Sequence, residues 1–292
     1  MKKFFKDLVY FTYHQSLSCI FPVVIFVTLA LSKVSHLPLS RYDFILVICL
    51  LTQYLMYKFG LESKDEIKVI CLFHIIGLLL ELYKVNFHSW SYPEAAWSKI
   101  GGVPLYSGFM YASVASYICQ AWRRFDLKIL NWPRSYIAIP LGAMIYLNFF
   151  THHFIYDFRW LLIALLFFVF SRTVVKFTVR QNIYKMPIVA SFLLIGFFIW
   201  IAENIATFFG AWSYPNQEMG WTIVHFGKIS SWFLLVVISI MIVAQLKLFY
   251  REQWRNCFAS VIGTAKAISV NLITQDEKFT LYPFVFIKLS LF

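Results

Sequence analysis

The sequence predicts an all-α fold, a polytopic membrane helix bundle of about eight transmembrane helices in two tandem, parallel four-helix repeats. Three observations lead there. Of 292 residues, 60% are apolar and only 14% are charged, against roughly 45–50% and 25% in soluble domains. Apolar runs of span length recur along the chain. One segment of unusual composition occurs twice at a fixed interval.

A helix needs about 20 mostly apolar residues to cross roughly 30 Å of hydrocarbon. Runs near 16–34, 42–59, 66–84, 104–122, 136–153, 160–178, 187–209 and 222–247 reach or approach that length. Residues 1–15 mix bases with aromatics and suit an interfacial N-terminal segment. Residues 16–128 make the first four-helix repeat and 129–250 the second. Residues 251–292 form a cytoplasmic or interfacial tail outside the repeat.

The net charge of +12 follows topology. Lys2, Lys3 and Lys6, then Lys58, Lys64 and Lys68, then Arg123, Arg124, Lys128 and Arg134 fall on one side. Arg180, Lys185, Lys247, Arg251 and Arg255 join them. By the positive-inside rule both termini are cytoplasmic. The expected partner is therefore a lipid bilayer, not nucleic acid. Five Cys form no CxxC and no metal-ligand spacing. No nucleotide-binding Gly-rich loop, HExxH or GxSxG occurs. No metal and no cofactor is expected, and no motif supports an ATP-driven pump.

Residues 81–93 read ELYKVNFHSWSYP and residues 203–215 read ENIATFFGAWSYP. Glu, Trp, Ser, Tyr and Pro match at one offset of 122 positions. The same offset carries each of the first four apolar runs onto one of the last four. Four spans is an even number, so the two halves share one orientation, as in parallel-repeat transporters.

Glu81 and Glu203 are the acidic residues inside apolar runs, and they are repeat-related. A charge at mid-membrane costs about 2.5–3.5 kcal/mol on insertion scales, less near an interface. Each Glu therefore calls for a partner or a proton, and can serve as a binding group or proton relay. Lys228 falls at similar depth to Glu203, with His225 one turn further out. Lys84, at i+3, is a second possible ion partner for Glu81. His74, at i−7 from Glu81, shares its helix face and extends a proton path. The loop contacts are Trp90, Ser91, Tyr92 and Pro93, with Trp212, Ser213, Tyr214 and Pro215. Trp and Tyr anchor at the headgroup level, but anchoring leaves the fixed spacing to Glu unexplained. Loops folding back over each Glu account for it. His152 and His153 point in different directions on a helix and read as interfacial residues.

The runs LLLELYKVNFHSWSYPEAAWSKIGGVPLYSGFMY and WIAENIATFFGAWSYPNQEMGW resemble the YoaT-like bacterial integral membrane proteins, a family defined by a domain of unknown function. The resemblance covers roughly residues 5–255 and implies a bacterial cytoplasmic membrane protein. It carries no activity or site residue with it. More remotely, Glu followed by an aromatic loop, then Gly-x-Pro and a helix, is similar to membrane lycopene cyclases and carotenoid hydratases. The chain departs from them where paired acids follow the loop, reading Pro104, Leu105, Tyr106 and Ser107.

Three functions are compatible with these residues. The first is a carrier of a small or amphipathic solute, with an outward-side site containing Glu81, Glu203 and Lys228. The second is a membrane-embedded enzyme acting on a lipid or isoprenoid, with an intramembrane Glu as general acid. The third is a non-catalytic membrane assembly partner.

Overall fold

The structure is a computed structural model that describes residues 2–34 and 39–244. The tail predicted at 251–292 lies outside the described residues. Helices α1 (Lys2–Ser18), α2 (Ile20–Val34), α3 (Arg41–Lys58) and α4 (Lys64–Asn86) come first. A short hairpin of β1 (Lys99–Ile100) and β2 (Val103–Pro104) leads into α5 (Tyr106–Arg124). Strand β3 (Lys128–Leu130), α6 (Ser135–Thr151) and α7 (Arg159–Phe170) follow. Then come β4 (Val174–Val179), β5 (Asn182–Pro187), α8 (Ile188–Phe208) and α9 (Lys228–Ala244).

The expected eight-span, all-α bundle of two parallel repeats is not what forms. Among the described residues, α8 is the one helix long and apolar enough to cross a membrane, with a mean hydropathy of 2.1. Helices α1 and α2, bent by 65° at their junction, add a second if they count as one broken span. The other apolar runs fail for identifiable reasons. Helix α7 has 12 residues, about 18 Å at 1.5 Å per residue, and α6 has 17 with Pro140 inside. Helix α4 carries Lys64, Asp65, Glu66, Lys68, Glu81 and Lys84. Helix α5 buries Ser107, Ser113, Ser116 and Gln120 against protein.

The chain is not all-α either. The run expected to be helical over 160–178 stops at Phe170 and becomes strand β4. Val174, Val175, Thr178 and Val179 supply the β-branched side chains that favour a pleated strand. Strands β4 and β5 form an antiparallel hairpin with β3 on its outer edge, in the order β3-β4-β5. Asp7 of α1 clamps this sheet. Its buried carboxylate accepts from Asn182 Nδ2 at 2.6 Å and the Tyr184 hydroxyl at 2.8 Å.

The site rests on α4 and α5. Helix α4 starts at a capping box: Ser63 Oγ accepts from Glu66 N, and Glu66 Oε2 accepts from Ser63 N at 2.8 Å. Below it, Glu62 is buried and accepts from Ser116 and Gln53. Burial pushes the Glu62 carboxyl upward, against those two hydrogen bonds. Small residues let α4 and α5 touch. Gly77 faces the Tyr111 side chain, and Gly108 faces His74 so closely that an added Cβ would lie 2.8 Å from its backbone oxygen.

That backbone contact has no flexible end to give way. Gly108→Ala is expected to cost about 1–3 kcal/mol, the usual range for overpacking, read as a lowered thermal unfolding midpoint. An unchanged midpoint would show that the α4–α5 contact is looser than drawn.

Candidate functional site

Helices α4 and α8 end in the same way. Ser89 N donates to Lys84 O and His88 N to Val85 O, at 2.9 and 3.0 Å. Ala211 N donates to Ala206 O and Gly210 N to Thr207 O, each at 2.9 Å. These are two Schellman caps, and each needs a left-handed residue: His88 at φ 52° and Gly210 at φ 71°. Both caps turn the chain back over the helix it has just left. The two WSYP loops then meet as an antiparallel bridge, Ser91 N to Ser213 O and Ser213 N to Ser91 O, each 2.9 Å. Arg41 ties both loops together, pairing with Glu94 at 2.6 Å and donating to Phe209 O and Gly210 O.

Each loop returns a tyrosine to its own glutamate. Glu81 is 3% exposed and Glu203 is 2% exposed. The Tyr92 hydroxyl donates to Glu81 Oε2 at 2.8 Å, and the Tyr214 hydroxyl donates to Glu203 Oε1. The remaining donors differ. Glu81 accepts from Trp90 Nε1 at 2.6 Å and the Tyr111 hydroxyl at 2.8 Å. Glu203 accepts from Trp232 Nε1, while Trp212, the counterpart of Trp90, is buried nearby. Pro93 and Pro215 are exposed at the loop ends, and Pro215 starts a single 3-10 turn.

The aromatic rings that hang on the two carboxyls wall a cavity of about 450 Å³. Its lining includes the aromatic residues Trp90, Tyr111, Tyr214 and Trp232 and the apolar residues Ile145, Phe149, Leu234, Leu235 and Ile238. Lys84, Arg159, Lys228, His152, His153 and His225 also line it, and no acidic residue does. Lys228 Nζ lies 4.4 Å from the Tyr214 ring centre and 5.5 Å from that of Trp90. Lys84 Nζ donates to Phe149 O at 3.0 Å, touches His153 Nε2 at 3.2 Å and sits 4.1 Å from the Phe149 ring centre. Arg159 pairs with Asp157 at 3.1 Å.

Glu81, Glu203, Lys228 and His225 thus fall in one neighbourhood, with the bases lining the cavity and the carboxyls outside its lining. Neither expected ion pair closes to contact distance, although Glu203 and Lys228 remain within electrostatic reach of each other. Lys228 meets Tyr214, which holds Glu203, and Lys84 turns to α6 and leaves Glu81 to its aromatic donors. His225 Nδ1 accepts from Gly227 N at 3.0 Å at the rim. His74 is not part of the cavity; its ring packs 4.4 Å from that of Phe109. Sequence reasoning missed Tyr111, Trp232, Tyr146 and Arg159. None of them repeats at the 122-residue offset, so no pattern marks them. Among the described residues, no group of three or more His, Cys, Asp or Glu is placed to hold a metal ion.

These features define a helical protein with a cationic, aromatic-walled cavity built around a duplicated Glu-and-WSYP unit. The chain belongs to the family described as "Protein of unknown function (DUF817)", whose sequence model matches residues 7–240. It is 60% identical over 243 residues to the uncharacterized protein YoaT of Bacillus subtilis (strain 168), covering 83% of this chain and 92% of that one. Among solved structures, a cross-linked MvINS trimer is similar at a TM-score of 0.42 and 14% identity, over 61% of this chain and 91% of that one.

Two outcomes follow from this geometry. Glu81→Met orphans three donors at roughly 1–3 kcal/mol each. Glu81→Gln keeps its carbonyl on Trp90 and Tyr92 while the Tyr111 hydroxyl turns to accept, so it retains most of that stability. Equal losses in chemical denaturation would contradict the hanging role of Glu81. Asp157 concerns pH. Burial raises its carboxyl, but Asn148, the Arg159 N–H and the guanidinium outweigh that and hold it below the ordinary range. Its stabilisation is full above the unfolded value of about 3.9 and is lost as pH falls through the lower folded value. Asp157→Asn should flatten that acid limb of the unfolding midpoint against pH; an unchanged limb assigns the acid loss elsewhere.

Proposed function

We propose that the chain lies in the bacterial cytoplasmic membrane and binds or carries a small amphipathic solute in this cavity. One observation carries the reading: a cavity whose lining combines basic groups (Lys84, Arg159, Lys228) with aliphatic side chains (Ile145, Leu234, Leu235, Ile238). That is the lining an amphiphile requires. Its volume falls in the usual range for small-molecule sites, about 300–1,000 Å³.

The outer faces of the helices support the location. Leu72, Ile75 and Leu79 form an exposed stripe on α4, and Leu194 and Phe198 stand 51% and 62% exposed on α8. Val47, Leu50 and Leu51 do the same on α3, and Leu161 and Phe168 on α7. Exposed apolar surface of this extent marks contact with lipid or with another protein. An enzyme reading asks one of the glutamates to reach substrate. Both are buried behind the wall with their oxygens occupied by Trp and Tyr donors, which favours binding over acid catalysis.

The test is untargeted lipid and metabolite mass spectrometry on protein purified from membranes. Wild type is expected to retain an amphiphile that Leu235→Trp, which fills the cavity, loses. Leu79→Trp, on the exposed face of α4, should keep it. Identical extracts from all three, or recovery of the chain in the soluble fraction, would remove the proposal.

A further inference from the structure

The geometry points to an anionic group, a phosphate or carboxylate, as the part of the ligand that this cavity recognises, held between Lys84, Lys228 and Arg159. The inference rests on the binding function proposed above and names the ligand's charge. Its basis is a pair of enclosed lysines that no carboxylate meets at ion-pair distance among the described residues.

Lys84 is 2% exposed, yet no carboxylate among the described residues pairs with it; its contacts are a carbonyl, a histidine nitrogen and an aromatic face. Lys228 likewise forms no ion pair at contact distance and rests on two aromatic rings; Glu203 acts on it only from further away. Taking an ammonium group out of water is costly unless a close counter-charge compensates. Of the three bases, Arg159 is the one with a carboxylate at ion-pair distance, Asp157, and it also donates to Ser230 Oγ at 3.2 Å. The oxygens of the two glutamates are occupied by tyrosine and tryptophan donors. Both lysine heads therefore face a cavity that contains no acid.

An anion placed there would accept charge-assisted hydrogen bonds, the stronger kind. It would also lie against cations already pinned by aromatic faces, so little side-chain freedom is lost on binding. The aliphatic patch of Ile145, Leu235 and Ile238 is suited to a chain attached to that headgroup. A free anion shares the headgroup chemistry and would not use this patch.

The experiment uses the purified full chain in phosphatidylcholine nanodiscs. Binding of dodecyl phosphate, dodecanol and inorganic phosphate is followed by tryptophan fluorescence, since Trp90 and Trp232 stand in the wall. Dodecyl phosphate is expected to bind roughly tenfold or more tighter than dodecanol. Lys84→Met and Lys228→Met should each remove most of that preference, and Lys228→Arg should keep it. Inorganic phosphate binding as tightly as dodecyl phosphate assigns the site to a free anion; much weaker binding assigns it to the head of an amphiphile. Either result supports anion recognition. Equal affinity for dodecyl phosphate and dodecanol overturns it while leaving an amphiphile site in place. Failure of all three probes removes the proposed function as well. If the lysine variants do not fold, the wild-type comparison of phosphate with alcohol still decides.

Discussion

Two carboxyl groups removed from water set the terms for the rest of the site. Glu81 and Glu203 each sit near the end of a helix, almost fully enclosed, where an unsatisfied carboxyl is costly. Neither forms an ion pair at contact distance. Each accepts a tyrosine hydroxyl that the following loop brings back, and Trp90, Tyr111 and Trp232 supply the remaining donors. The Schellman caps make that return possible, because a left-handed residue after each helix reverses the chain within two residues. Once both loops have reversed, their serines are near enough to pair. The aromatic wall is thus a by-product of satisfying two acids.

The cavity's character comes from what is left over. Aromatic N–H and O–H groups at the ring edges are used on the acids, so the ring faces are free to receive cations. Lys228 takes that position above Tyr214 and Trp90. Across the cavity, the C-terminal end of α6 offers carbonyl oxygens, and Lys84 and Tyr83 take two of them, from Phe149 and Phe150.

Much of this was legible in the sequence, and the limits are physical. The runs at 42–59 and 66–84 correspond to α3 and α4 almost to the residue, because apolar content marks helices whatever surrounds them. The same content did not separate helix from strand over 171–178, where β-branching decided the matter. Nor did it show that Trp221–Gly227 would stay outside α9, since those residues are apolar but occupied with loop contacts such as Val224 N to Asn204 Oδ1. Length and charge, not hydrophobicity, defeat most of the predicted spans. At the site, Glu and WSYP were visible because they are written twice. Tyr111 and Trp232 were invisible because only tertiary packing brings them to the carboxyls. Lys84 and Lys228 stood out as charges near the acids, but nothing in the spacing says that Lys228 would rest on aromatic faces or that Lys84 would turn to a carbonyl of α6.

The long-range clasps have a consequence for how the chain is made. Arg41 donates to Gly210, 169 residues later, and Asp7 accepts from Asn182, 175 residues later. A ribosome adding about 5–20 residues per second needs roughly 10–30 seconds to supply those partners. During that interval Arg41 has Glu94 within reach and Asp7 has nothing from the β-hairpin. The N-terminal helix can pack on α5 early, through Phe11 against Phe125, but its anchor to the sheet closes only after most of the polypeptide has emerged. Closure of so large a loop comes late in assembly, as it does in folds dominated by distant pairings, and the nascent first half must be kept from misassociating until the second arrives.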